Sequence, residues 1–129
     1  MDIIEEYTKE FELDAELNAV NLKDKQYRHP TIRAKWWYRL RQHQRKVLDI
    51  QRSIEDVILA KTIKEQQLSK ISERAVKQKL TSDLEIISMK RQLTEEMEVV
   101  DYIDGLMNIL AGMGFDMKNL VEMLKMEQL

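Results

Sequence analysis

The chain has 129 residues, 43% hydrophobic and 34% charged, with 3 Gly, 1 Pro, no Cys and a formal net charge of −2. That length supports one modest core and is short for a two-domain enzyme. So few Gly and Pro cannot supply the turns of a sheet protein or a loop-built active site, and without Cys there is no disulfide, cysteine zinc site or thiol catalysis. The abundant Glu, Lys, Leu, Ile, Met, Gln and Arg are mostly good helix formers, so the expected fold is all-α with elongated helices.

Residues 1–24 hold 2 basic and 8 acidic side chains, a charge of −6. Ile3, Ile4, Tyr7 and Phe11 at helical spacing predict a helix over residues 2–11. Glu12-Leu13-Asp14 reads as a break, with Asp14 capping a second short helix through Leu22. The acidic opening lacks the basic-then-apolar run of a signal peptide. The longest nearly uncharged stretch, Gly105 to Phe115, is far short of a membrane span. A soluble, cytoplasmic protein is expected.

Residues 25–52 reverse the balance, with 9 basic and 1 acidic side chains, +8. Pro30 lacks a backbone donor and disfavours helix at His29, so a helix is predicted to start there with Pro30 in its first turn. From Thr31 to Lys79 no Gly or Pro intervenes. Trp36, Leu40, Val47, Ile54 and Ile58 fall within about 40° of one another on a helix face. The pattern fits one long helix, or two with a kink near 66–72. Residues 53–91 hold 8 basic and 6 acidic side chains, +2. Ser82 with Glu85 three residues on has capping-box form, and Thr94 before Glu95-Glu96 is a second candidate helix start.

Residues 92–129 hold 2 basic and 8 acidic side chains, −6. Val100, Ile103, Met107, Leu110, Gly114, Met117, Val121 and Leu124 alternate spacings of three and four, a heptad seam. Val99, Tyr102, Leu106, Ile109, Met113, Leu120 and Met123 form a second seam one residue earlier. Together they make a face too wide for a two-stranded coiled coil, suited to two neighbours in a bundle or ring. Val100, Ile103, Met107, Leu110, Met117, Leu120, Val121 and Leu124 are the candidate oligomerisation residues. Gly112 and Gly114 before Phe115-Asp116 favour a helix break, with Asp116 as the next cap. Met107, Met113, Met117, Met123 and Met126 read as adaptable fillers of helix interfaces. The working division is an acidic segment 1–28, a basic helical region 29–92 and an oligomerisation region 93–129.

Catalysis finds little support. His29 and His43 form no triad or metal spacing, His43 among Arg41, Gln42, Gln44 and Arg45 suits a surface or phosphate contact, and no Gly-rich phosphate loop is present. No cofactor, metal or enzymatic activity is expected. The basic segment is the sharper signal. Lys35, Arg39 and Lys46 fall on one flank of the apolar stripe, and Arg41, Arg45 and Arg52 on the other. Spacings of four let neighbouring side chains straddle successive phosphates. A solvated face with snorkelling cations is the bland alternative, but nine basic residues against one acidic favour a polyanion. Trp36 belongs with the apolar stripe. Trp37 sits nearer Arg33, Arg41 and Arg45, where an exposed indole would stack on a base or pack against another helix. Tyr38 lies on the opposite side and receives no role.

An acidic N-terminal helix, Ala34-Lys35-Trp36 opening a basic helix, and an apolar C-terminal helix running into Gly114-Phe115-Asp116-Met117-Lys118-Asn119-Leu120 together resemble the UvsY family of recombination mediators of T4-like phages. The resemblance covers most of the chain in order and length. It implies a non-enzymatic factor that binds single-stranded DNA, contacts a RecA-like recombinase and a single-strand-binding protein, and helps the first replace the second. It also implies rings of six or seven subunits joined through C-terminal helices, and a host-cytoplasm location. The family's Leu-Lys-Ala-Arg stretch followed by aromatics finds its nearest match in Leu59-Ala60-Lys61-Thr62-Ile63-Lys64, with the order shifted and the aromatics missing. The strand-binding residues expected on both grounds are Arg33, Lys35, Trp37, Arg39, Arg41, Arg45, Lys46, Arg52, Lys61 and Lys64. A coiled-coil scaffold or assembly chaperone indifferent to DNA is the competing reading.

Overall fold

A computed structural model describes residues 2–128. These form four helices, α1 (Ile3–Ala15), α2 (Leu22–Ser69), α3 (Glu73–Leu80) and α4 (Leu84–Glu127), and no strand among the described residues. The expected all-α class is what the chain adopts. It divides into two compact units, Met1–Gln42 with Val99–Leu129, and His43–Glu98.

In the first unit α1 starts at Asp2, whose carboxylate accepts the Ile4 amide at 3.3 Å, with Glu5 and Glu6 placed to complement the helix dipole. The helix runs through Glu12-Leu13-Asp14 without the expected break, because the Asp14 carboxylate is engaged by α2 and does not cap a new helix. The turn falls instead at residues 16–21. Asn18 Oδ1 accepts the amides of Val20 and Asn21 at 2.9 and 3.0 Å, and Asn21 Oδ1 accepts that of Asn18 at 2.9 Å, Asx-type closures that replace helix hydrogen bonds. Lys25 Nζ covers the open end of α1, donating to the Leu13 and Asp14 carbonyls at 2.7 and 3.2 Å.

Helix α2 begins at Leu22, eight residues before the expected start, and carries Pro30 in its interior. The ring removes the donor that the Gln26 carbonyl would have used. Burial of Leu22 and Ile32 on either side holds the helix together across that loss. Phe11 of α1, Ile32, Trp36 and Leu40 of α2, and Val99, Ile103, Leu106, Leu110 and Met113 of α4 form the core. The Trp36 indole is fully buried, edge-on to Tyr7 and Phe11 at centroid distances of 5.3 and 5.7 Å, the geometry that aromatic quadrupoles favour. Its Nε1 donates to Asp14 Oδ2 at 2.8 Å.

The buried line on α4 (Val99, Ile103, Leu106, Leu110, Met113, Met117) takes alternate members from each of the two expected seams. The seams are two edges of one inward face. Its two neighbours over 99–113 are α1 and α2 of the same chain. Helix α4 also runs unbroken through Gly112 and Gly114, correcting the expected break. Neither glycine takes a positive φ, and buried Met113 and Met117 keep this part of the helix docked.

In the second unit, α2 ends at Ser69, within the interval where a kink was one of the two readings. Lys70 adopts φ 51°, the left-handed conformation that stops a helix. Ser72 then caps α3, accepting the Ala75 amide at 3.2 Å. Val76, Leu80 and Ile86 form a small core with Val57, Ile58 and Ile71. Asp83, not Ser82, caps α4, its Oδ1 accepting the Ile86 amide at 3.1 Å, while the Ser82 hydroxyl donates back to the Lys79 carbonyl. Thr94 starts no helix. Its hydroxyl bonds the Lys90 carbonyl at 3.1 Å within α4.

Candidate nucleic-acid interface

Several basic residues of α2 are tied to carboxylates, and several are exposed. In the first unit Lys35 Nζ lies 2.5 Å from Asp14 Oδ2 and 3.6 Å from Glu10 Oε1. Arg39 forks onto both Glu10 oxygens and lies over the rings of Tyr7 and Trp36, 5.0 and 4.7 Å from their centroids. The hydrogen bond from Arg39 holds the Glu10 carboxyl below the usual carboxylate range, against the opposing effect of burial, and Glu10 in turn raises the Arg39 guanidinium. Lys35 and Arg39 are half-buried staples between α1 and α2.

Arg33, Trp37 and Arg41 are exposed on the same stretch of α2. At about 100° per residue, Arg41 lies about 140° from Trp36, so it points away from the core and does not border the buried face as expected. Trp37 is 50% exposed, and the Arg41 guanidinium stacks on it 5.2 Å from the ring centroid. Tyr38, which helical spacing leaves without a role, is 60% exposed on the same outward side, about 200° from Trp36. Its neighbour Trp37 and its exposure opposite the apolar stripe are the signals that could have singled it out. Burial together with the positive charge of Arg33 lowers the His29 imidazole below its ordinary range.

The second unit has an exposed basic set of its own in Arg45, Lys46, Arg52 and Lys64. Arg45 and Arg52 lie about 180° and 160° from buried Ile54, again opposite the core and not beside it. Lys61 is engaged at the start of α4, 2.7 Å from Asp83 and 2.8 Å from Glu85. These acceptors raise its ammonium, and Lys61 holds Asp83 low. His43 is buried against the Glu96 carboxylate, so the expected surface or phosphate contact is not its role. Among the described residues no three His, Asp or Glu side chains converge as a metal site, and no helix is long and apolar enough to cross a membrane.

The candidate oligomerisation residues divide in the same way. Ile103, Leu110 and Met117 are buried within the chain, whereas Val100, Met107, Leu120, Val121 and Leu124 are half-buried. Ile109, Phe115, Met123 and Met126 are exposed on α4.

No curated protein matches the chain in sequence. In structure it resembles two crystal forms of the bacteriophage T4 recombination mediator protein UvsY. The lattice type IV structure superposes with a TM-score of 0.84 at 16% identity, covering 98% of this chain and 99% of that one. Lattice type II gives 0.80 at 15% identity, covering 99% and 98%. At such identities the superpositions establish the four-helix fold. The model of the family described as recombination, repair and ssDNA binding protein UvsY matches residues 10–128, and the chain therefore belongs to the UvsY family.

Proposed function

We propose that the chain is a recombination mediator that binds single-stranded DNA as an oligomer and helps a RecA-like recombinase displace a single-strand-binding protein. The supporting observation is the set of cations on the solvent side of α2, Arg33 and Arg41 in one unit and Arg45, Lys46 and Arg52 in the other. Lys35, Arg39 and Lys61 already hold carboxylates, so recruiting them to phosphate would cost the ion pairs that staple the helices. In the first unit the strand is held by Arg33 and Arg41 with Trp37, and in the second by Arg45, Lys46, Arg52 and Lys64.

Binding at such a surface is electrostatic, each neutralised phosphate releasing counterions. One protomer offers few contacts. A ring of six or seven copies, joined through the exposed and half-buried apolar residues of α4, would present many to one strand at high effective concentration. The bound strand is then available to the recombinase.

Fluorescence anisotropy with a labelled single strand across a salt series tests this reading. The logarithm of the affinity should fall linearly with the logarithm of salt concentration, by about 0.7 per phosphate contacted. Arg41→Ala/Arg45→Ala should make that slope shallower. A stable oligomer that ignores DNA at low salt would instead support the scaffold reading. Native mass spectrometry with and without the oligonucleotide reads subunit number and ligand together.

A further inference from the structure

We infer that Trp37 and Tyr38 are base-stacking residues that make this face of α2 selective for unpaired strand. The inference rests on the proposal that this face binds DNA and assigns it a second, non-electrostatic component. Trp37 and Tyr38 leave 50% and 60% of their surface in water. Neither belongs to the core or to the partly buried residues packed on it, a place that Tyr7, Phe11 and Trp36 occupy. Leaving an indole and a phenol side by side in solvent forgoes the burial that usually stabilises such large side chains.

The charge around the rings favours one kind of occupant. Arg41 lies one turn beyond Trp37, with its guanidinium 5.2 Å from the indole centroid. By helix geometry it projects between the directions of Trp37 and Tyr38. A cation stacked on an indole restricts the ring's rotamers before any ligand arrives, lowering the ordering cost of binding. The guanidinium places positive charge beside the ring, so a phosphate is attracted there while the ring offers its face to the attached base. Arg33, one turn before Trp37, supplies a second exposed cation. An apolar protein partner would gain little from a surface so rich in arginine. In a duplex the bases are already stacked on one another, so only the phosphates could engage. Unpaired bases can take up both components.

The test uses the full chain with three labelled probes of one length: a mixed-sequence single strand, a deoxyribose-phosphate strand without bases, and a duplex. The wild type should bind the base-bearing strand about 5- to 150-fold more tightly than the baseless strand, the range for one stacked base. Trp37→Ala should lose most of that preference, Tyr38→Ala part of it, and Trp37→Phe should retain it. All three should bind the baseless strand as the wild type does, with an unchanged salt slope. Fluorescence from buried Trp36 checks that the core of each variant is intact. Normal affinity of Trp37→Ala and Tyr38→Ala for the base-bearing strand, or equal weakening on the baseless one, overturns the stacking role. If Arg33→Ala/Arg41→Ala also leaves the salt slope unchanged, the strand-binding proposal itself fails.

Discussion

Trp36 and Trp37 are adjacent and chemically identical, yet one is sealed in the core and the other lies half in water beneath Arg41. Helical period alone separates them, and that much is legible in the sequence. The fate of the neighbouring cations is not. Lys35 and Arg39 read as strand-binding residues until Asp14 and Glu10 meet them from 21 and 29 positions earlier in the chain. The same long-range pairing explains why Asp14, a good local cap, caps nothing. The glycines of α4 follow the same logic. Gly112 and Gly114 resemble a helix end, but both are helical and a Cβ on either would meet nothing within 4 Å. Gly112→Ala and Gly114→Ala should each stabilise the protein by about 0.5–1 kcal/mol, since alanine loses less backbone entropy in a helix. Urea denaturation checks this, and a loss of stability would restore the helix break that the sequence suggests.

At the scale of elements, α1 is held to α2 by aromatic packing and by charge, and the two respond differently to acid. Glu10 titrates below its ordinary 4.5 in the folded state because Arg39 bonds its carboxylate. Its contribution is therefore fully present above about pH 4.5, the unfolded value, and is lost as pH falls through the lower folded one. Thermal melts should show Tm falling across that acid window, and Glu10→Gln should flatten the fall while lowering Tm near neutrality. An identical acid profile for the variant would remove Glu10 from this role. Helix α2 offers a second measurement. Pro30→Ala returns a donor to the Gln26 carbonyl and relieves the ring clash, worth about 3 kcal/mol in a helix interior. Against this, the unfolded chain regains freedom worth about 0.4–1 kcal/mol. The net effect should be a stabilisation of about 2 kcal/mol, read from the urea midpoint. The position of Pro30 was misleading because a proline is cheapest in a first turn. Here Leu22 and Ile32 anchor the helix on both sides of it, a tertiary effect that local preference does not carry.

For the whole molecule, the hidden property is which apolar residues the chain spends on itself. The two heptad seams of α4 predict a face for two neighbours, and over 99–113 those neighbours are α1 and α2. Subunit joining, as proposed, must therefore draw on what the protomer leaves outside. Leu110 and Phe115 distinguish the two roles. Leu110 is fully buried, so Leu110→Ala should cost about 2–5 kcal/mol of protomer stability, the range for a large-to-small core change. Phe115 and Met123 are 74% and 59% exposed. Phe115→Asp/Met123→Asp places charge where only another subunit would exclude water, so helicity should survive while the assembly dissociates. Sedimentation velocity alongside circular dichroism reads both quantities. Dissociation should in turn weaken strand binding far more than the loss of any one arginine, because each protomer alone has only its own few phosphate contacts. A variant that stays assembled would move the subunit interface to the half-buried line of Val100, Met107, Val121 and Leu124. A variant that dissociates yet binds DNA undiminished would show that the basic helix acts without the ring.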